Sequence, residues 1–385
     1  MPAFLKAFEQ PNQLGGLAAD EGKILVVIQL SGGNDGLNTI VPYTNDVYYR
    51  ERSQIAVQPG EVLDLDGTQG LNPNLKPLKE LYDQGWLNIV NSVGYPNPDR
   101  SHFRSMDIWH TASHSHEYLD TGWVGRLLDA NCANCSDPLY ALQVSDTLGL
   151  ALKGKNSKGL AVQYPEKLHK IISTGPYQKL LDVPNQQAEN SNHEFLYKTL
   201  AETVSSADYL YEQSRIYKSR VRYPATALGK QLKTVAELIC SGSKTRVYYV
   251  GLSGFDTHIR QNNVHGRLLE GYAEAVGAIT QDLKQNNRLK EVAILTFSEF
   301  GRRVKQNASA GTDHGAGNNV WVISEGLKQP GIYNDAPDLT DLDQEGDIKY
   351  KVDFRQVYAT LIDQWLGANS KAVLNNQFST LPLFS

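Results

Sequence analysis

The sequence predicts an α/β fold: a three-layer αβα sandwich around a central, mostly parallel sheet. Three observations carry this. The segments Ile24–Ile28 and Val292–Leu295 are uninterrupted apolar runs, as expected of strands covered on both faces. Amphipathic helical patterns separate such segments. The two alternate along most of the chain, which is the signature of layered α/β architecture.

Taken in order, Ile24–Leu30 is the first strand and ends at the turn-forming run Ser31-Gly32-Gly33-Asn34-Asp35-Gly36. Leu75, Leu78, Leu81 and Tyr82 recur at helical spacing, and Asn88–Val93 reads as the next strand. A helix is expected over Glu194–Tyr223, ended by Pro224. Leu228, Leu232, Val235 and Ile239 mark another. Arg246–Leu252 is a strand, and Val264, Leu268, Tyr272, Ile279 and Leu283 mark a long helix. Val292–Phe297 and Val320–Ile323 are strands. Asp353 is the expected N-cap of a last helix with Phe354, Val357, Leu361 and Trp365 inward, stopped by Gly367. The expected organisation is an N-terminal remnant (1–22), one α/β domain (23–368) with an insertion near 130–195, and a C-terminal tail (369–385). Residues 328–350, with Asp335, Asp338, Asp341 and Asp343, read as a solvated acidic loop.

Composition excludes several classes. The chain has 385 residues, a net charge of −5 and 41 % hydrophobic residues, which fits a folded protein without a basic surface for nucleic acid. Its apolar runs are far shorter than a transmembrane span. Three cysteines do not make a disulfide framework, and the Cys132/Cys135 pair reads as a loop pair. Met1–Lys23 lacks the pattern of a signal peptide, which fits either a cytoplasmic protein or one numbered after leader removal.

Ligands of open α/β sheets bind beyond the carboxyl ends of strands. At that rim the sequence places Asp35, then Asp256 and His258, then Glu299 and Arg302, then His314. Carboxylates and imidazoles together suit a divalent cation able to assist phosphoryl or sulfuryl transfer. Asp256 and His258 lie two apart and share a face on an extended segment. Each also has a plainer reading: Asp35 as a turn residue, Asp256 as a cap, Glu299 as the partner of Arg302 or Arg303, His314 as a surface histidine. Ser101 reads as a helix N-cap or as a nucleophile, with Arg100 or Arg104 beside an anionic group. His110, His114 and His116 form a polar patch, His169 and His193 read as surface residues, and His265 as exposed or supporting.

The segments Leu30–Thr39, Ser101-His102-Phe103, Gly254–His258, Ser298–Arg302 and Asp313-His314-Gly315 resemble the bacterial domain of unknown function 1501 family, over about residues 23 to 368. The resemblance implies membership of the alkaline phosphatase and sulfatase superfamily, with that fold and a metal site at one sheet edge. It implies Asp35, Asp256, His258, Glu299 and His314 as ligands of one or two divalent ions (Zn, Mn or Mg, with Ca as a further option). Ser101 is the implied nucleophile, and Arg104 and Arg302 steady charge. Two features depart from the superfamily pattern. Its Asp/His pair is normally three residues apart, and Phe300 stands where a metal-binding histidine is expected. The implied protein is an exported, periplasmic or cell-surface hydrolase of small anionic esters or of sulfated or phosphorylated glycans. A catalytically impaired binding protein is the alternative.

Overall fold

The computed structural model describes residues 22–131, 138–174 and 191–384. Cys132 and Cys135 and residues 1–21 lie outside them, as does the His193 side chain.

The strands that frame the site are β1 (Ile24–Ser31), β2 (Leu87–Gly94), β3 (Ala141–Gln143), β4 (Leu160–Ala161), β5 (Val247–Ser253), β6 (Val292–Ser298), β7 (Arg302–Gln306), β8 (Thr312–His314), β9 (Asn318–Ile323), β10 (Gly331–Ile332) and β11 (Val352–Asp353). The central sheet runs β10-β2-β9-β6-β1-β5-β3-β4, with β11 also on β2. Among the described strands of this sheet, only β9 runs antiparallel to its neighbours, β2 and β6. The register sets Ile28 of β1 beside Val250 of β5 and Thr296 of β6. The carboxyl ends of these three strands therefore finish at one rim.

The longer helices are α1 (Lys76–Asp83), α2 (His102–Thr111), α3 (Trp123–Asn131), α4 (Pro165–Thr174), α5 (Ser191–Ile216), α6 (Ala227–Cys240), α7 (Gln261–Gln285) and α8 (Phe354–Thr360). Alternate residues of β1 enter two separate cores. Ile24, Val26 and Ile28 pack with Leu78, Leu232 and Ile279 of α1, α6 and α7. Leu25 and Val27 pack with Trp109, Leu127 and Tyr358 of α2, α3 and α8. A period of two in a strand apolar on both faces thus builds the three layers. Leu381, Leu383 and Phe384 are buried in the second core, within the segment expected as a tail. Residues 138–174 add two strands to the sheet edge through β3 on β5 and β4 on β3.

Two expectations are corrected. The helix expected to run to Tyr223 ends at Ile216. Beyond it, the Tyr217 hydroxyl donates to Asp282 Oδ1 at 2.6 Å and the Tyr223 hydroxyl to Oδ2 at 2.9 Å. Docking onto a fully buried carboxylate replaces the helical path. The acidic loop is only partly solvated: Asp347 is fully buried and its Oδ2 accepts from Arg100 Nε at 2.6 Å. The helix capped by Asp353, which accepts from the Arg355 backbone N–H, begins as expected and passes into a wider π turn over Leu361–Trp365, but it is not the last: a short helix, Ser370–Leu374, forms within the expected tail.

Two histidines, His265 buried and His110 half-buried, make the fold acid-sensitive. Burial pushes His265 and His110 down to about 4. His265 Nε2 lies 2.9 Å from Asn34 Oδ1, and His110 Nε2 lies 2.8 Å from Gln29 Oε1. An unfolded imidazole titrates near 6.5. As pH falls from about 6.5 to about 4 the unfolded chain takes up protons that the folded chain refuses, so stability is lost across that window, on the order of 3 kcal/mol per histidine. Urea unfolding of metal-free protein at pH 6.5 and 4.5 should show this loss, and His265→Gln should reduce it. An unchanged midpoint would refute the assignment.

Candidate metal centre

The site gathers at the rim. The chain leaving β1 turns at Gly32, whose φ is +117°. A Cβ there would sit 2.5 Å from the Asp256 backbone nitrogen, so only glycine lets the two strand ends meet this closely. Beyond β5 the loop carries Asp256 and His258. Beyond β6 the β7–β8 hairpin carries Arg302 and returns His314 opposite it. Beyond β2, α2 opens with His102.

Asp256 Oδ1 is the common point. Arg302 Nη2 donates to it at 2.7 Å. His258 Nε2 lies 2.9 Å away, His314 Nε2 3.2 Å and His102 Nε2 3.4 Å. His258 Nε2 and His314 Nε2 are 3.0 Å apart. Bonds of about 2.0–2.1 Å to a tetrahedral cation place donor atoms about 3.3 Å apart; the donor atoms of His102, Asp256 and His314 all lie within 4.8 Å of one another, which suits one ion, with His258 at its edge.

Each imidazole is held from behind through Nδ1. His102 Nδ1 lies 2.8 Å from Glu299 Oε1, His314 Nδ1 2.8 Å from the Arg100 carbonyl, and His258 Nδ1 3.3 Å from Asp313 Oδ1. With a metal bound, protons on Nδ1 would leave each Nε2, all within 3.4 Å of Asp256 Oδ1, free to ligate. His102 Nε2 is buried with no hydrogen-bond partner. An orphaned lone pair facing other lone pairs and a carboxylate is costly without a cation. The donor set therefore fits a divalent ion.

The charges agree. Burial alone would raise Asp256, but the Arg302 guanidinium that donates to it outweighs that, with help from the neighbouring imidazoles, and the carboxyl is held at about 2. The hydrogen bond to Glu299 raises His102 above the ordinary imidazole value, against desolvation. Desolvation lowers His314, partly countered by Asp256.

The residues expected at the site divide into three groups. Asp256, His258 and His314 come together. Glu299 sits behind them: it is 1 % exposed, its Oε1 accepts from the Gly32 N–H at 2.8 Å, and it orients His102 rather than pairing with Arg302 or Arg303. Arg302 is also behind. Its fully buried guanidinium binds the carbonyls of Gly32, Gly33, Phe255 and Thr312 as well as Asp256, leaving no face for a substrate.

Asp35 and Arg104 stand apart. Asp35 is fully buried, with Oδ2 2.6 Å from Arg52 Nη1 and also accepting from Gln261 Nε2. Burial would raise its pKa; the Arg52 charge and bond hold it below the usual carboxylate range. Arg104 donates to the carbonyls of Ser115 and Glu117 and lies 3.9 Å over the Tyr118 ring. Ser101 caps α2 by position, exposed, with its own backbone N–H bonded to Asp99 Oδ1 at 2.7 Å. Phe300 closes the site from below, its ring 4.8 Å from those of both His102 and His314.

The residue that sequence reasoning passed over is His102. Its signal was available: it directly follows the helix-start serine at the rim beyond the second strand. Glu299→Gln tests its support. Gln at this position retains an acceptor but loses the charge behind His102, so metal affinity should fall about 10–100-fold with the fold intact. Competition with a chromophoric chelator measures this, and parent affinity in the variant would contradict it.

Among the described residues no helix is long and apolar enough to cross a membrane. The family described as Protein of unknown function (DUF1501) matches residues 91–376. No curated protein matches the chain in sequence. Similar solved structures include the lipoteichoic acid synthase LtaP from Listeria monocytogenes (10 % identity, 81 % of this chain and 68 % of that one, TM-score 0.38). Another is the PsFucS1 sulfatase from Pseudoalteromonas sp. (11 %, 94 % and 71 %, TM-score 0.40). A third is the C-terminal periplasmic domain of EcEptC from Escherichia coli in complex with Zn (10 %, 79 % and 74 %, TM-score 0.38).

Proposed function

The chain belongs to the family described as Protein of unknown function (DUF1501), and from that premise we propose that it is an exported, metal-dependent hydrolase of phosphate or sulfate esters, of the alkaline phosphatase and sulfatase type. The observation that carries the reading is the convergence of three backed imidazoles on one oxygen of Asp256. His102, Asp256, His258 and His314 would hold the ion. Three nitrogens and one oxygen favour zinc over magnesium or calcium, which prefer all-oxygen sites. When bound, the ion supplies Lewis-acid stabilisation of negative charge on ester oxygens.

The chain's own groups have distinct tasks. Glu299, Asp313 and the Arg100 carbonyl fix the imidazole tautomers. Arg302 fixes Asp256 and the two loops that meet there. The Ser101 hydroxyl is the proposed nucleophile. It is exposed at the start of α2, between Arg100, whose carbonyl holds His314, and the ligand His102. A second reading, a metal protein that binds an anion without turnover, draws on one observation. Arg100, Arg104 and Arg302 are all engaged by protein groups, so no arginine among these three is left to clamp a leaving anion.

Elemental analysis of purified protein, followed by a panel of aryl phosphates, sulfates and phosphonate esters, tests both. The hydrolase reading expects about one zinc-class ion per chain and turnover abolished by Ser101→Ala with the metal retained. Metal with no turnover on any ester supports the second reading, and absence of metal from protein supplied with zinc overturns both. Cell fractionation tests export, which the cytosolic fraction alone would contradict.

A further inference from the structure

Beside the metal centre a cleft of about 560 Å³ opens between the ends of β1 and β5 and the first turns of α2. Its inner end is formed by His102, Asp256 and Glu299, and its outer wall by Phe103, Met106 and Leu150. Phe103 directly follows a metal-site histidine and is 88 % exposed at the mouth of the cleft, where nothing in the core holds it. The Gln29 side-chain amide faces the Met106 sulfur behind that wall. The groove is open to solvent along one side, so it suits a flat group lying against its wall rather than one enclosed in it.

The charges along the cleft are one-sided. Among the described residues lining it there is no lysine or arginine, and away from the metal centre the charged contribution is the Asp107 carboxylate. A group entering here finds an aromatic and thioether surface and an acid. A second negative charge on the substrate would meet Asp107 with no cation to receive it.

We propose that this cleft receives the organic part of the ester, and that this part is uncharged and aryl or similarly flat and apolar, with Phe103 as the residue that selects it. The inference rests on the metal-site reading above. It narrows the substrate from anionic esters at large to those whose charge is confined to the group at the metal, and it disfavours multiply sulfated glycans.

Isothermal titration of the zinc-loaded protein with phosphonates separates this from the catalytic reading, because no turnover is needed. Phenylphosphonate should bind at least tenfold more tightly than methylphosphonate. Phe103→Ala, a change at an exposed site, should remove most of that preference without altering bound zinc. 4-Carboxyphenylphosphonate should bind several-fold more weakly than phenylphosphonate, and Asp107→Asn should narrow the gap. Equal affinity for the phenyl and methyl compounds, a preference that survives Phe103→Ala, or no binding of either overturns the inference. Turnover of esters alongside such a result would leave the hydrolase reading standing. A phenyl preference without turnover of any ester would do the reverse.

Discussion

Asp256→Asn is expected to empty the metal centre. Asp256 supplies its only carboxylate among the four proposed ligands, and one of its oxygens faces all three histidines and Arg302. Asparagine can keep an oxygen toward Arg302, so the loops stay together while the negative charge is lost. Metal affinity should fall by more than about 100-fold, beyond what loss of a backing group does. Two measurements check this. Chelator competition gives the affinity directly. Thermal unfolding gives it by linkage, because a ligand that binds only the folded chain stabilises it in proportion to RT ln(1 + [L]/Kd). Zinc should raise the parent's midpoint and leave that of the variant unmoved. A variant that binds zinc as the parent does would remove Asp256 from the ligand set.

The second large effect concerns Asp35. Its carboxylate and the Arg52 guanidinium are both fully buried, and Arg52 also donates to the carbonyls of Val304 at 2.8 Å and Arg303 at 2.7 Å. Asp35→Ala leaves that cation buried without its counter-charge, which costs about 3–5 kcal/mol. The pair ties the turn after β1 to the β7 strand that leads toward His314, so the loss falls on the scaffold. Urea denaturation should show the destabilisation. At low temperature, where the variant remains folded, the zinc stoichiometry should match the parent's. The double variant Asp35→Ala, Arg52→Met should recover much of the stability, since it removes the stranded charge as well. A variant of parent stability that has lost its metal would instead make Asp35 a ligand.

These two aspartates show where sequence reasoning reaches and where it stops. Both follow strands and both sit among glycines, so locally they look alike. Their difference lies in what arrives from elsewhere. Arg52, 17 residues away, and Gln261, 226 residues away, converge on Asp35. Arg302 and His314, 46 and 58 residues away, converge on Asp256. The same holds for Glu299, which looked like a ligand or a partner for a nearby arginine until α2 brought His102 against it.

The strands and most helices were legible because burial on both faces of a sheet, or along one face of a helix, imposes a periodic apolar pattern on consecutive residues. Asp256, His258 and His314 were legible because strand ends in such a fold all point to one edge, whereas His102, on a helix start, was not. Which of those groups face a shared cavity, which stand behind, and which are neutralised in the core was decided by the tertiary structure. Those choices depend on single side chains meeting across long sequence separations, and a chance of contact between distant residues leaves no repeat for the eye to find along the chain.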